Sequence, residues 1–439
     1  MILYPHLSVN GEGHLTIGGI DTLELAEKFG TPAYVMDENT IRQNMRTYMQ
    51  AAEKNFGKGA LPLYASKALS FAEIYKIAKE EGLGVDCVSG GELFTARAAG
   101  FPAERIYFHG NNKTDRDIKD AMDMGVGTFV VDNIDELLAV NSEAARRNIV
   151  QNILLRITPG IDPHTHKAIS TGNVDSKFGN AISTGQAMEI VKDALKLPNI
   201  KLNGLHCHIG SQIFDVKPFA SAADIMIKFI AEIKKECGGF EINELNLGGG
   251  LGVKYTDNDP YIDYAAAIGD MAEVINKFCR AHDIKTPLVR LEPGRSLVAA
   301  AGITLYTVGS VKEIPGFKNY ISVDGGMPDN PRYALYQSEY TVCIADRADK
   351  PKDYKATVAG RCCESGDLIG ENMDIQKAKR GDILAVLVTG AYNYSMASNY
   401  NRIPRPPVIM VKDGQARIVV RRESYEDLIK NDCLDNPVG

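Results

Sequence analysis

The chain has no tryptophan, and none of its candidate functional groups depends on an indole. Its eight cysteines are scattered without a C-x-x-C pair, and the one close pair, Cys362-Cys363, is adjacent, a spacing that rarely forms a bridge. A disulfide framework is therefore excluded, and a reducing, cytoplasmic setting is expected. The 49 lysines and arginines against 56 acidic residues leave a net charge of −7, which gives no electrostatic footprint for nucleic acid or an anionic membrane. No apolar run is long enough to span a bilayer. The first residues, Met1 to His6, lack a basic region followed by a long apolar stretch, so no signal peptide is expected. Internal repeats, low-complexity segments and long linkers are also missing.

What is present is a rhythm. From residue 31, short apolar strands alternate with amphipathic helical text. The strands are expected at Ala33–Met36, Leu63–Ser66, Gly84–Val88, Ile106–Phe108, Thr128–Val131, Ile153–Ile157, Leu205–His208 and Leu245–Leu247. Eight strands, each followed by helix or loop, predict an α/β fold with a (β/α)8 TIM-like barrel over 31–286. A doubly wound open sheet is weakened because no G-x-G-x-x-G follows the first strand. After residue 286 the long helices stop and strand-like runs follow one another. This predicts a C-terminal, mainly β domain over 287–439, with residues 1–30 a candidate to join it.

In such a barrel, chemistry sits at the C-terminal ends of the strands. Here those ends are dense in polar groups and glycine: Ser66-Lys67, Asp86 to Gly91, His109 to Lys113, Asp132-Asn133, Arg156, His206 to Gln212 and Asn246 to Gly252. Lys67 closes the apolar stretch Leu61 to Ala65. A lysine there pairs with a carboxylate, reaches solvent along its own stem, or loses its charge and becomes a nucleophile. Gly248, Gly249 and Gly250 follow a strand, either as a flexible turn or as a cradle whose backbone N–H groups hold a phosphate. His206 and His208 share a face as a metal pair, as core histidines, or with one ring flat against an aromatic cofactor. Metal is disfavoured, because the further His and Asp ligands of a metal-dependent barrel hydrolase are missing. His164 and His166 read as loop residues.

Glu292 ends a strand beside Arg290, as a plain ion pair or as the partner of a protonated ring nitrogen, with Arg295 nearby for an anion. In the β domain, Cys363 stands beside Glu364 in a glycine-flanked loop, Tyr392 follows a strand, and Arg332 with Tyr336 form either a carboxylate clamp or plain surface.

Taken in order, Tyr64 to Ala68, Asp86 to Glu92, Gly110 to Lys113, Ile169 to Gly172 with Ser176 to Gly179, His206 to Gln212, Gly248 to Gly250, Glu292 to Arg295, Cys363 to Asp367 and Gly390 to Tyr392 resemble the fold-type III pyridoxal-phosphate decarboxylases over nearly the whole chain. Cys363-Glu364 and the Ser-Lys-Phe-Gly run are similar to the branch acting on meso-2,6-diaminopimelate, which yields L-lysine and CO2. Related enzymes decarboxylate ornithine, arginine or carboxynorspermidine, and a barrel-only, non-catalytic pyridoxal-phosphate carrier is a more distant alternative.

The resemblance implies a role for each matching residue. Lys67 bonds the cofactor, His208 stacks on its ring, and Glu292 faces the ring nitrogen. Gly248, Gly249, Gly250, Gly294 and Arg295 hold the phosphate, with Tyr392 touching phosphate or substrate. Arg295, Arg332 and Tyr336 bind the remote carboxylate of the substrate, and Glu364 its remote ammonium. Cys363 is implied as a proton donor that reaches the other subunit's cofactor, making the protein a homodimer with shared sites. The alanine racemases, on the same fold, place an arginine where this chain has Glu292 and a tyrosine where it has Cys363.

Overall fold

A computed structural model of the chain describes residues 4–161 and 176–433; His164, His166 and the Ile169 to Gly172 motif lie outside the described residues. The chain forms two compact units. One comprises Arg42–Val253 and Tyr261–Ser296; the other comprises Met1–Ile41, Lys254–Pro260 and Leu297–Gly439.

The first unit is a closed barrel of eight parallel strands: Leu61–Ala65, Gly84–Cys87, Ile106–Phe108, Thr128–Val131, Gln151–Thr158, Ile200–His206, Glu244–Asn246 and Leu288–Leu291. The last strand closes on the first with Arg290 opposite Leu61 and Leu291 opposite Pro62. The strands read as apolar runs because both faces are covered, the inner by other strands and the outer by helices. Leu63, Tyr107, Val130 and Leu154 pack into one buried cluster. Arg290, inside this apolar setting, is accounted for by Glu244 at 3.3 Å, the Tyr107 hydroxyl at 3.0 Å and the Gly59 carbonyl at 2.6 Å. Its charge is therefore answered by Glu244, which leaves Glu292 to other partners.

Helices start where the sequence caps them. Ser89 accepts from the Glu92 N–H, Thr114 and Asp117 form a reciprocal box, and Asn133 accepts from the Glu136 N–H. Each cap contributes about 1 kcal/mol and fixes the loop just after a strand end.

The second unit is a mostly antiparallel sheet. Its long strand Gly302–Ile314 pairs with Ala33–Asp37 and Ile383–Leu387 in its first half and with Lys318–Val323 in its second. Tyr354–Ala359 and Leu368–Ile375 extend one side, Val408–Lys412 and Gln415–Val420 the other.

Two strands change place relative to the sequence reading. Ala33–Asp37, expected as the first barrel strand, lies between Gly302–Ile314 and Val408–Lys412 in the β sheet. Leu288–Leu291, expected in the β domain, is the eighth barrel strand. All five residues of Ala33–Asp37 are buried, so its pattern matches that of a barrel strand. A central strand of a covered mixed sheet and a barrel strand bury both faces alike, and the pattern carries no partner information. The glycine loop at Gly248 accordingly follows the seventh strand, and His206 ends the sixth.

Candidate active site

The barrel gathers its functional side chains at the ends of six strands. The first strand stops at Ala65, and Ser66–Ala68 form a single 3-10 turn in which Ser66 and Ala68 are buried and Lys67 is exposed. Lys67 thus lies just past the strand end, as expected, and the 3-10 turn presents it. The Ser66 hydroxyl lies 2.8 Å from both the Asp86 carbonyl and a Glu92 carboxyl oxygen, which ties this turn to the second strand end.

On the neighbouring strand of the ring, Glu292 follows the eighth strand, which pairs with the first, and is buried. Asn246 Nδ2 donates to Glu292 Oε1 at 2.7 Å, and His206 Nε2 lies 3.2 Å from Oε2. His109 Nε2 approaches Oε1 at 2.8 Å. Burial alone would raise this carboxyl, but the two imidazoles outweigh it and hold the group well below the usual carboxylate range. Glu292 is thus an ionised carboxylate. His206 is the reverse case: burial pushes its imidazole down to about 4, against the opposing pull of Glu292. His208 is also pushed well down, by burial and then by Lys67 and Arg156, so it presents a neutral, half-buried ring.

His109, His206 and Glu292 offer ligand atoms within 4.8 Å of one another, a grouping that could hold a cation. Yet Asn246 already donates to Glu292. A donor aimed at the carboxylate suits an anion clamp better than a metal site.

The glycines fit an anion cradle. Gly248 and Gly250 have positive φ of 68° and 125°. A Cβ at Gly249 would stand 2.1 Å from the Glu292 carbonyl, and one at Gly250 2.3 Å from the Gly210 carbonyl. Only glycine lets the backbone pass here. At Gly294 an added Cβ would meet Ala65 at 3.0 Å. Arg295 is buried with its guanidinium 3.0 Å from the Ser211 hydroxyl. A glycine cradle, a fixed carboxylate, a neutral imidazole and an amine on one rim match a pyridine ring bearing a phosphate and an aldehyde.

The structure therefore brings Lys67, His208, Gly248, Gly249, Gly250, Glu292, Gly294 and Arg295 together on the barrel. The other predicted residues lie in the β unit. Arg332 is buried, donates to the Tyr340 hydroxyl at 2.9 Å and lies over the Tyr255 ring at 4.9 Å. Its short helix, Arg332–Tyr336, packs on Leu368–Ile375, the strand that follows the Cys363 turn, with Tyr333 donating to Glu371 at 2.9 Å. Cys363 and Glu364 are exposed, and the Cys363 N–H donates to Asn401 at 2.8 Å. Cys362 differs: burial and then Asp367 push its thiol up to about 12, so it stays protonated. Tyr392 is half-buried with a positive φ of 59°.

The sequence reading assigned no role to His109 or Asn246, although both stand at strand ends on the rim. The signal was positional: a polar residue at the end of a buried strand, on the same rim as Lys67 and Glu292.

A family model described as pyridoxal-dependent decarboxylase, pyridoxal binding domain, matches residues 42–299. The diaminopimelate decarboxylase of Bacillus subtilis is 47% identical over 432 residues, covering 98% of both chains. That of Halalkalibacterium halodurans is 48% identical over 441 residues, covering 100% of this chain and 99% of the relative. Among solved structures, a diaminopimelate decarboxylase from M. jannaschii in complex with L-lysine matches with a TM-score of 0.89 at 37% identity, over 98% of each chain.

Proposed function

The chain belongs to the pyridoxal-dependent decarboxylases, and we propose that it converts meso-2,6-diaminopimelate to L-lysine and CO2 with pyridoxal 5′-phosphate as cofactor. The observation that carries the chemistry is Glu292, a buried carboxylate held ionised by its neighbours. The substrate rests on full-length likeness to diaminopimelate decarboxylases.

When bound, the cofactor supplies an electron sink for the pair released as CO2 departs. Each residue of the chain then has a task. Lys67 is the amine that bonds the cofactor. Glu292 keeps the ring nitrogen protonated by offering it an anionic acceptor, and that protonation deepens the sink. His208, neutral through burial, covers one ring face without adding charge. Gly248, Gly249, Gly250, Gly294 and Arg295 receive the phosphate.

We assign the remote carboxylate of the substrate to Arg295, Arg332 and Tyr336, and the remote ammonium to Glu364. These charge-assisted contacts select which end reacts. Cys363 donates the proton that replaces CO2; its exposure, beside a Cys362 locked as a thiol, supports this choice. Tyr392 contacts the phosphate or the substrate. We further propose a homodimer in which Cys363 and its neighbours serve the other subunit's cofactor. No helix among the described residues is long and apolar enough to cross a membrane. All eight cysteines are free, which supports a cytoplasmic setting.

The test is CO2 release with pyridoxal phosphate present, comparing meso-diaminopimelate with ornithine, arginine and carboxynorspermidine. Release from diaminopimelate with lysine as product is expected. Release only from another substrate would keep the chemistry and overturn the roles of Arg332 and Glu364.

A further inference from the structure

We propose that His109 and Asn246 are positioning residues that fix Glu292 against the cofactor's ring nitrogen, so that they set how firmly that nitrogen is protonated. The inference rests on the reading of Glu292 above and adds what holds it.

A lone carboxylate at this depth would protonate or turn away, because burying an unpaired charge is costly. Three groups prevent that, and they are not equivalent. His206 supplies one contact to Oε2 at 3.2 Å, and its Nδ1 has no hydrogen-bond partner. With its imidazole pushed down to about 4, it is a neutral donor. Asn246 does more. Its Nδ2 donates to Glu292 Oε1 at 2.7 Å while its Oδ1 accepts from the Gly248 N–H at 2.9 Å. The Glu292 N–H in turn donates to the Gly248 carbonyl at 2.7 Å. One fully buried amide therefore joins the carboxylate to the first glycine of the phosphate cradle. The contacts for the two ends of the cofactor are built as one piece.

His109 faces two carboxylates. Its Nε2 is 2.8 Å from Glu292 Oε1 and 3.7 Å from Asp86 Oδ1. Neither His109 Nε2 nor Asp86 Oδ1 has an aligned hydrogen bond. The His109 ring stands edge-on to His206 with centroids 4.8 Å apart. The turn that carries it is pinned by buried Lys113, which donates to the Gly110 and Val130 carbonyls and to Glu136 at 3.0, 2.8 and 2.7 Å. The charged and titratable groups that interact with Glu292 are Asp86, His109, Arg156, His206, Cys207 and His208, with Asn246 as an uncharged donor. Among them His109 alone is in close contact with Glu292 and bracketed by a second carboxylate. That makes it, rather than His206, the imidazole in closest contact with Glu292.

The test separates the ring nitrogen from the rest of the cofactor. The full chain, freed of cofactor, is titrated calorimetrically with pyridoxal phosphate and with its deaza analogue, in which CH replaces the ring nitrogen. The unaltered chain should prefer the natural cofactor. His109→Gln, His109→Ala and Asn246→Ala should each cut that preference about tenfold, the scale of one hydrogen bond to a charged group. Affinity for the analogue should move much less in the His109 variants, whereas Asn246→Ala, which also frees the Gly248 N–H, should lower affinity for both cofactors in addition to the lost preference. Equal loss for both cofactors would mean a structural role and would overturn the proposal, as would an unchanged preference. Failure of both His109 variants to fold, judged by circular dichroism, would likewise make His109 structural. If the unaltered chain shows no preference, the reading of Glu292 itself is wrong; the parent titration tells this apart from failure of the positioning roles.

Discussion

Each unit of this protein buries several carboxyls, and one from each, Glu292 and Asp329, is shifted in the opposite direction to the other. In the barrel, Glu292 is surrounded by two imidazoles and an amide and is held ionised. In the β unit, Asp329 accepts from the Tyr306 hydroxyl and from the Gly326 N–H at 3.1 Å, and no cation answers it among its strongest influences. Burial wins there, and the carboxyl is pushed up to about 7. Depth is nearly the same, with 6% and 1% of surface exposed, so depth is not what decides the charge. Neighbours able to carry positive charge keep a carboxylate as a functional anion. Phenols and backbone donors, with Asp324 and Asp367 nearby, leave a carboxyl that serves structure.

The contrast can be tested at several levels. Lys67→Ala sets the ceiling: turnover should vanish together with the absorbance of bound cofactor, and retained turnover would dismantle the whole site. Next, Glu292→Gln should lower kcat by about 10²–10³-fold, the scale for removing one preorganised charge contact. Asp329→Asn, by comparison, should stay within about twofold, because an amide mimics the protonated acid. Similar losses in both would show that burial, not charge, is what matters. Cys363→Ala should slow product formation by about 10²-fold with cofactor affinity unchanged, a magnitude typical of a lost general acid; unchanged turnover would remove Cys363 from the chemistry.

The smallest effect is also the most diagnostic. Glu292 has a depressed folded value, so its contribution to stability is present above its unfolded pKa of about 4.3 and lost as pH falls through the folded value. Asp329 has a raised folded value. Its contribution is full below an unfolded pKa of about 3.9 and is lost as pH rises through about 7. Denaturant titrations of the cofactor-free chain should show this. Asp329→Asn should flatten a decline in stability between pH 4 and 7, whereas Glu292→Gln should flatten a decline below it. For Asp329 an effect on the order of a few kcal/mol is expected. Identical pH profiles for the two variants would erase the distinction.

How much of this was legible in the sequence follows the same division. The barrel's rim glycines, Lys67 and Glu292 stood out because each breaks a local rule: a lysine or carboxylate ending an apolar run, three glycines in a row. Strand partners did not stand out, since Ala33–Asp37 and Leu288–Leu291 carry similar patterns and only tertiary pairing assigns them. Leu368–Ile375, with exposed Glu371 and Asn372, lacks a strand's alternation and was missed. His109 and Asn246 were visible as rim residues, but their task depends on where Glu292's oxygens point, which no spacing encodes. Asp367 is a further case. It reads as the tail of the cysteine motif, yet its carboxylate accepts from the Met327 and Cys362 N–H groups at 2.6 and 2.7 Å and shapes the turn that carries Cys363.

The placement of Ala33–Asp37 bears on how the chain is made. Its neighbours in the sheet are Gly302–Ile314 and Val408–Lys412, with Tyr34 opposite Thr304 and Val408. During synthesis at about 5–20 residues per second, this fully buried strand leaves the ribosome tens of seconds before its last partner exists. The barrel's strands are sequential neighbours and can pair as they emerge, while Ala33–Asp37 must wait for Val408–Lys412. The early segment is therefore the part of the nascent protein most in need of shielding from other chains.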